Sequence, residues 1–216
     1  GGPYFMAQDT IKCYDTPSDV VAALAEDFIA FTNEEISRTE TCIVGITGGT
    51  VINGLLETLN SAEYIERVNW ERIFFVWTDE RFLPQSHEDN YFNRVKPYLL
   101  CKAKGAAHFF PINTNSKTVI EAADEYEKEI GNVLKACKKS GLDLAILDLG
   151  EDGHTAGLFA GSHALRVANR NVVPVEDGKV WERISMTFSF LAKTDVLWFT
   201  VTGESKRTAL DRKSVV

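Results

Sequence analysis

Apolar residues fall along this chain in two patterns. Short continuous runs end in glycine or charge, and between them lie longer stretches in which apolar residues recur every three or four positions. The runs Cys42-Ile43-Val44-Gly45-Ile46, Arg72 to Trp77 (RIFFVW), Leu144 to Leu149 and Asp195 to Thr202 (DVLWFTVT) are apolar at nearly every position. Runs of that kind suit strands covered on both faces, as in a parallel sheet. In the stretch from Pro17 to about Thr39, Val20, Val21, Leu24, Phe28 and Phe31 form one helical face. From Ser116 to Lys139 the same spacing places Ala122, Tyr126, Ile130, Val133 and Leu134 inward. Thr16-Pro17 supplies a cap residue and then proline at the first helical position. A short strand at Ile11 to Tyr14, helices over Val51 to Leu59 and from beyond Asn90 to Leu100, and a short strand at His108 to Ile112 complete the first part. The sheet is expected to continue through Val172 to Val175 and Arg183 to Thr187, where polar and apolar residues alternate. Strands alternating with helices predict an α/β fold with a doubly wound, largely parallel sheet.

Composition narrows the partners. With 216 residues, 44% of them hydrophobic, the chain can bury a substantial core and is expected to form one domain. Gly1 to Phe5 precede a methionine, so residues 1–6 are set aside as an added leader and residues 7–216 are taken as the domain. The net charge is −8 and no basic stripe interleaved with aromatics occurs, which argues against a nucleic-acid partner. Cys13, Cys42, Cys101 and Cys137 are widely spread, without CxxC or zinc spacing, and read as reduced thiols. No apolar run approaches the roughly 20 residues of a membrane span, and the start lacks a secretory pattern, so a cytoplasmic protein is expected.

Candidate chemistry sits where the predicted strands end, since ligands of open parallel sheets bind outside the carboxyl ends of strands. Thr47-Gly48-Gly49-Thr50 joins a strand to a helix. Unpaired N–H groups and a positive dipole end there suit an anion, although the same glycines also serve a plain tight turn. The loop has neither the Walker lysine nor the full dinucleotide fingerprint. Thr78-Asp79-Glu80-Arg81 puts three charges directly after a buried strand. Such charges must be solvated, paired with one another, or turned toward a polar ligand. Asn90 reads as a ligand or a cap, Arg183 opens its strand, and Lys206 follows Gly203-Glu204-Ser205 at another helix start. Gly150-Glu151-Asp152-Gly153-His154 follows the central strand and reads either as a turn with a surface histidine or as a site. His87, His108, His154 and His163 form no metal motif, and no serine sits in a nucleophile elbow, so neither a metal nor an acyl-enzyme is expected.

The run LDLGEDGHTAGLF, Leu147 to Phe159, resembles the LGMGPDGHTASLFP signature of 6-phosphogluconolactonases, a family related to glucosamine-6-phosphate deaminases. Three further blocks match in order: Gly45 to Thr50, Trp77 to Arg81, and Val201 to Lys206. The resemblance implies a Rossmann-like, deaminase-type arrangement of the α/β sheet, and hydrolysis of 6-phospho-D-glucono-1,5-lactone in the oxidative pentose phosphate pathway, without cofactor or metal. It implies His154 as general base, with Asp152 orienting it or serving as a turn acid. Gly48, Gly49, Thr50, Arg81, Arg183 and Lys206 would grip the phosphate, and Asp79 and Asn90 would line the substrate. Asp89 stands where the family usually has serine. Phe159 stands where the deaminases have a glutamate that completes a proton relay. A deaminase-type isomerase and a catalytically silent sugar-phosphate binder remain as alternatives. The resemblance also implies a further strand and helix beyond Val216, and allows fusion or association with glucose-6-phosphate dehydrogenase.

Overall fold

In the computed structural model the described residues are 10–14, 17–100, 107–148, 163–176 and 180–202. They form β1 (Thr10–Tyr14), α1 (Pro17–Thr39), β2 (Cys42–Ile46), α2 (Thr50–Leu59), β3 (Ile73–Trp77), β4 (Asp79–Arg81), α3 (Tyr91–Leu100), β5 (His108–Phe110), α4 (Val119–Cys137), β6 (Leu144–Asp148), β7 (Val172–Val175), β8 (Arg183–Met186), α5 (Phe188–Leu191) and β9 (Val196–Thr202). The main sheet has six strands in the order β1-β9-β6-β2-β3-β5. Every pair in it is parallel. From β2 the chain adds β3 and β5 on one side, then returns to lay β6 on the other side, with β9 and β1 beyond. The order therefore reverses between β2 and β6, and the crevice at a doubly wound sheet's switch point opens at their carboxyl ends.

The continuous apolar runs are buried as their pattern demands: all five residues of β2 are buried, as are Leu144 to Leu147 of β6. Phe28 of α1 stacks on Phe75 of β3, with ring centroids 6.2 Å apart. α4 covers the sheet with Ala122, Ala123, Tyr126, Ile130 and Val133 buried. The Tyr126 hydroxyl accepts from the Trp77 N–H at 2.9 Å and donates to the Phe110 carbonyl at 2.8 Å. It thus bridges β3 and β5 beyond their ladder. Thr118 caps α4 by accepting from the Glu121 N–H at 3.1 Å. Cys42 and Cys137 are buried free thiols.

One expectation needs correction. Val172 to Val175 and Arg183 to Thr187 do not continue the main sheet. β7 and β8 form a separate antiparallel sheet with β4, in the order β4-β8-β7. The hand-over occurs at Thr78, whose N–H bonds the Ile46 carbonyl at 2.8 Å while its own carbonyl accepts from the Met186 N–H at 2.8 Å. Beyond Thr78 the chain has left β2 and runs beside β8. Alternating strands of this length suit an antiparallel sheet, whereas the main-sheet strands are apolar on both faces. The small sheet stands at the carboxyl edge of β3, next to the switch point.

Candidate functional site

Gly49 caps the N-terminus of α2 with φ 131° and ψ 163°, a backbone conformation that L side chains rarely adopt, and no side chain caps the helix. Glycine thus offers no side-chain cap to the first N–H groups of this ten-residue helix, which follows directly on the end of β2. Gly48 has a different cause. A Cβ there would lie 1.9 Å from Cδ1 of Tyr91, so the missing side chain makes room for an aromatic ring.

Asp79 is 1% exposed and Glu80 is fully buried. The two carboxylates do unlike things because successive residues of β4 point to opposite faces. Asp79 Oδ1 accepts from Thr47 Oγ1 at 2.6 Å and from Thr78 Oγ1 at 3.2 Å. Burial raises its pKa to about 6, against the opposing pull of those hydroxyls and of the Arg183 and Arg81 charges. Glu80 accepts backbone N–H groups from Arg81 at 2.9 Å, Tyr91 at 2.8 Å and Phe92 at 3.1 Å. It holds the first turn of α3, where a negative charge also meets the favourable end of the helix dipole. Burial lifts it to about 7 even against those three bonds. Its task is structural: it fastens α3 to the small sheet.

Arg81 pairs with Arg183 in the β4–β8 ladder, directly opposite it. Like charges so placed repel, and buried Asp79 on the same strand attracts both. The Arg81 guanidinium lies over the Tyr91 ring, its Cζ 4.9 Å from the centroid. Its Nη1 donates to the Asp89 carbonyl at 3.4 Å and lies 3.9 Å from the Asp89 carboxylate. Asp89, which occupies the serine position of the resembling family, also pairs with Arg94 at 3.3 Å. Asn90 is fully buried, and both ends of its amide are occupied: Oδ1 accepts from the Asn93 N–H at 3.0 Å, and Nδ2 donates to the Leu83 carbonyl at 3.3 Å. Of the two readings of Asn90, the cap is the one its contacts describe.

The structure thus brings Gly48, Gly49, Thr50, Asp79, Arg81 and Arg183 to one edge of the molecule, where β2 and β3 end. Asp152, His154 and Lys206 lie outside the described residues, as does Phe159. β6 and β9, the strands that precede them in the sequence, are adjacent in the sheet, and β6 also adjoins β2, so these strands end at this same edge. The contacts that sequence reasoning missed are those of Thr47 with Asp79 and of Tyr91 with Arg81. A hydroxyl before the glycine pair and an aromatic beside Asn90 are visible in the sequence, but nothing there links them to Asp79 and Arg81. Among the described residues the acids that could share an ion are Glu35, Asp143 and Asp195, at the opposite edge of the sheet. Lys139 Nζ already occupies that cluster, 2.6 Å from Asp143.

Residues 15–215 match the family model described as glucosamine-6-phosphate isomerases/6-phosphogluconolactonase. A 6-phosphogluconolactonase of Rhizobium meliloti is 28% identical over 91% of this chain and 84% of its own length. The chloroplastic 6-phosphogluconolactonase 3 of Arabidopsis thaliana is 27% identical over 93% of this chain, which spans only 65% of that protein. Among solved structures, a 6-phosphogluconolactonase from Shewanella baltica OS155 superposes with a TM-score of 0.79 at 19% identity, covering 95% of this chain and 86% of that one.

Proposed function

Since the chain belongs to the glucosamine-6-phosphate isomerase/6-phosphogluconolactonase family, we propose that it hydrolyses 6-phospho-D-glucono-1,5-lactone to 6-phosphogluconate. The observation that carries this reading is the Arg81 and Arg183 pair, facing each other across one ladder at the switch-point edge beside the open N-terminus of α2. Two guanidiniums held opposite each other repel, and a dianion between them relieves that repulsion. A phosphoryl group supplies that charge and accepts paired N–H bonds. Buried Asp79 keeps the pair together while the site is empty.

The chemistry falls to His154. As a neutral imidazole it takes a proton from a water that attacks the lactone carbonyl carbon, forming a new C–O bond. The tetrahedral adduct then expels the ring oxygen, which receives the proton, and the ester bond is broken. The acid so formed ionises and releases one proton to solvent. Asp152 orients the imidazole, and Lys206 adds a third cation for the phosphate. No cofactor enters this scheme. Phe159 in place of the deaminases' glutamate favours hydrolysis over isomerising deamination within the same family.

The described helices include none long and apolar enough to cross a membrane, and a cytoplasmic site of action is part of the proposal. So is fusion to or association with glucose-6-phosphate dehydrogenase, whose product is this lactone. The test is a pH-stat assay with freshly made 6-phosphogluconolactone, run beside glucosamine 6-phosphate with ammonia detection. Proton release well above the spontaneous rate, without ammonia from the amino sugar, is expected. Ammonia release would establish the isomerase reading, and inactivity on both with product still bound would establish a silent binder.

A further inference from the structure

We infer that Tyr91 is a positioning residue for the phosphate-binding arginine, its ring fixing the Arg81 guanidinium at the mouth of the site. Three observations meet at this side chain. The ring fills the space left by Gly48, so closely that a Cβ there would lie within 2.4 Å of three of its carbons. The Arg81 guanidinium lies over it at 4.9 Å. The ring's own backbone is pinned, because Glu80 accepts the Tyr91 N–H at 2.8 Å. The glycine loop, the aromatic ring and the arginine therefore form one connected unit reaching from the N-terminus of α2 to β4.

A long arginine side chain has many rotamers, and ordering it at the moment of binding costs affinity. A ring held against Gly48 sets that order beforehand. The guanidinium is also attracted by the aromatic face, an interaction that strengthens where water is excluded. Tyr91 is partly buried, and the charges of Asp79, Glu80, Arg81 and Arg183 all reach its hydroxyl. Positioning requires the ring and not the hydroxyl, so tyrosine and phenylalanine serve alike.

This inference rests on the proposed phosphate reading, and its test separates the two. Affinity for 6-phosphogluconate and for inorganic phosphate is measured by calorimetry on the parent, Tyr91→Phe, Tyr91→Leu and Tyr91→Met. KM and kcat are measured alongside, with phosphorylated and unphosphorylated gluconolactone. Tyr91→Leu and Tyr91→Met are expected to weaken both ligands and raise KM for the phosphorylated lactone roughly three- to thirtyfold, the range of a partly desolvated cation–aromatic contact. kcat and the KM for the unphosphorylated lactone should change little, and Tyr91→Phe should lie within about twofold of the parent on every measure. In an Arg81→Ala background, Tyr91→Met should have no further effect. Met fills most of the ring's volume, which keeps a folded comparison if Tyr91→Leu misfolds. Full phosphate affinity in Tyr91→Met, or an undiminished loss in the Arg81→Ala background, overturns the inference. A parent that binds neither phosphate ligand overturns the phosphate reading and the inference with it, whereas a parent that binds but does not turn over removes only the hydrolase.

Discussion

Gly48 and Gly49 stand side by side in one loop, yet the structure gives them different reasons to be glycine, and a double-mutant cycle separates the two. A Cβ at Gly48 would lie 1.9, 2.2 and 2.4 Å from Cδ1, Cε1 and Cγ of Tyr91. Ordinary carbon contacts fall at about 3.5–4.0 Å, so in Gly48→Ala the ring must retreat by roughly 1.5 Å. Its backbone N–H is held by Glu80 and its face carries Arg81, so retreat disturbs both. Overpacking of this kind costs about 1–3 kcal/mol, and an overlap this deep belongs at the upper end. In a Tyr91→Ala background the obstacle is gone. There Gly48→Ala should cost less than about 1 kcal/mol, giving a coupling of roughly 2 kcal/mol between residues in contact. Gly49→Ala should behave otherwise. With φ at 131° the strain is in its own backbone, about 1–3 kcal/mol whatever stands nearby, so its cost should be the same in both backgrounds. Urea unfolding of the four variants of each cycle at one pH and ionic strength yields these numbers from midpoints and slopes. An equal cost of Gly48→Ala with and without the Tyr91 ring would refute the steric argument. Rescue of Gly49→Ala by the same truncation would refute the backbone one.

The remaining predictions concern the chemistry. His154→Ala should lower lactone turnover roughly 10²- to 10⁴-fold, while calorimetry shows product still bound; turnover near the parent's would remove the general-base assignment. Arg81→Ala and Lys206→Ala should each reduce kcat/KM about tenfold to more than a hundredfold for the phosphorylated lactone, and much less for the unphosphorylated one. Asp79 should make stability fall with pH. Its folded pKa, about 6, lies above the ordinary value of 3.8, so the fold favours the protonated form. That contribution is fully present below about pH 4 and is lost as pH rises through about 6, to a total of roughly 3 kcal/mol. Denaturant midpoints of the parent and Asp79→Asn should therefore agree near pH 4 and separate by about pH 7.5, with the uncharged amide variant the more stable; parallel profiles would show that Asp79 ionises normally. Exhaustive treatment with EDTA should leave lactonase activity unchanged, whereas loss restored stoichiometrically by a divalent ion would move Asp152 and His154 from acid-base roles to metal ligands.

How much of this is legible in the sequence depends on whether a residue's task is set by its own stretch of chain or by another. The strands β2, β3, β6 and β9 are legible because burial on both faces leaves an unbroken apolar run, and α1 and α4 because one buried face leaves a helical period. The small sheet is not. β4 is three residues long and wholly charged, and only its partner β8 makes it a strand. The tetrad Thr78 to Arg81 shows the same division within a few residues. Its charges can be recognised as too costly to bury without a purpose, and their place after a strand points to the site. Glu80 nevertheless answers to backbone N–H groups of residues 91 and 92, which carry no side-chain signature that a sequence could display. Gly48 suggests a cradle for a ligand because glycine records only that something comes close, and the neighbour is the Tyr91 ring. Asn90 stays open between ligand and cap because an amide suits either, and only the positions of Asn93 and Leu83 reveal its capping contacts. The two arginines illustrate the point most directly: each is a candidate alone, but the repulsion on which the proposed phosphate site rests arises only when β8 lays Arg183 opposite Arg81. The proposed site of like charges is thus written in the pairing of two strands far apart in the sequence, and on that proposal substitutions that shift the pairing should weaken phosphate binding while leaving both arginines in place.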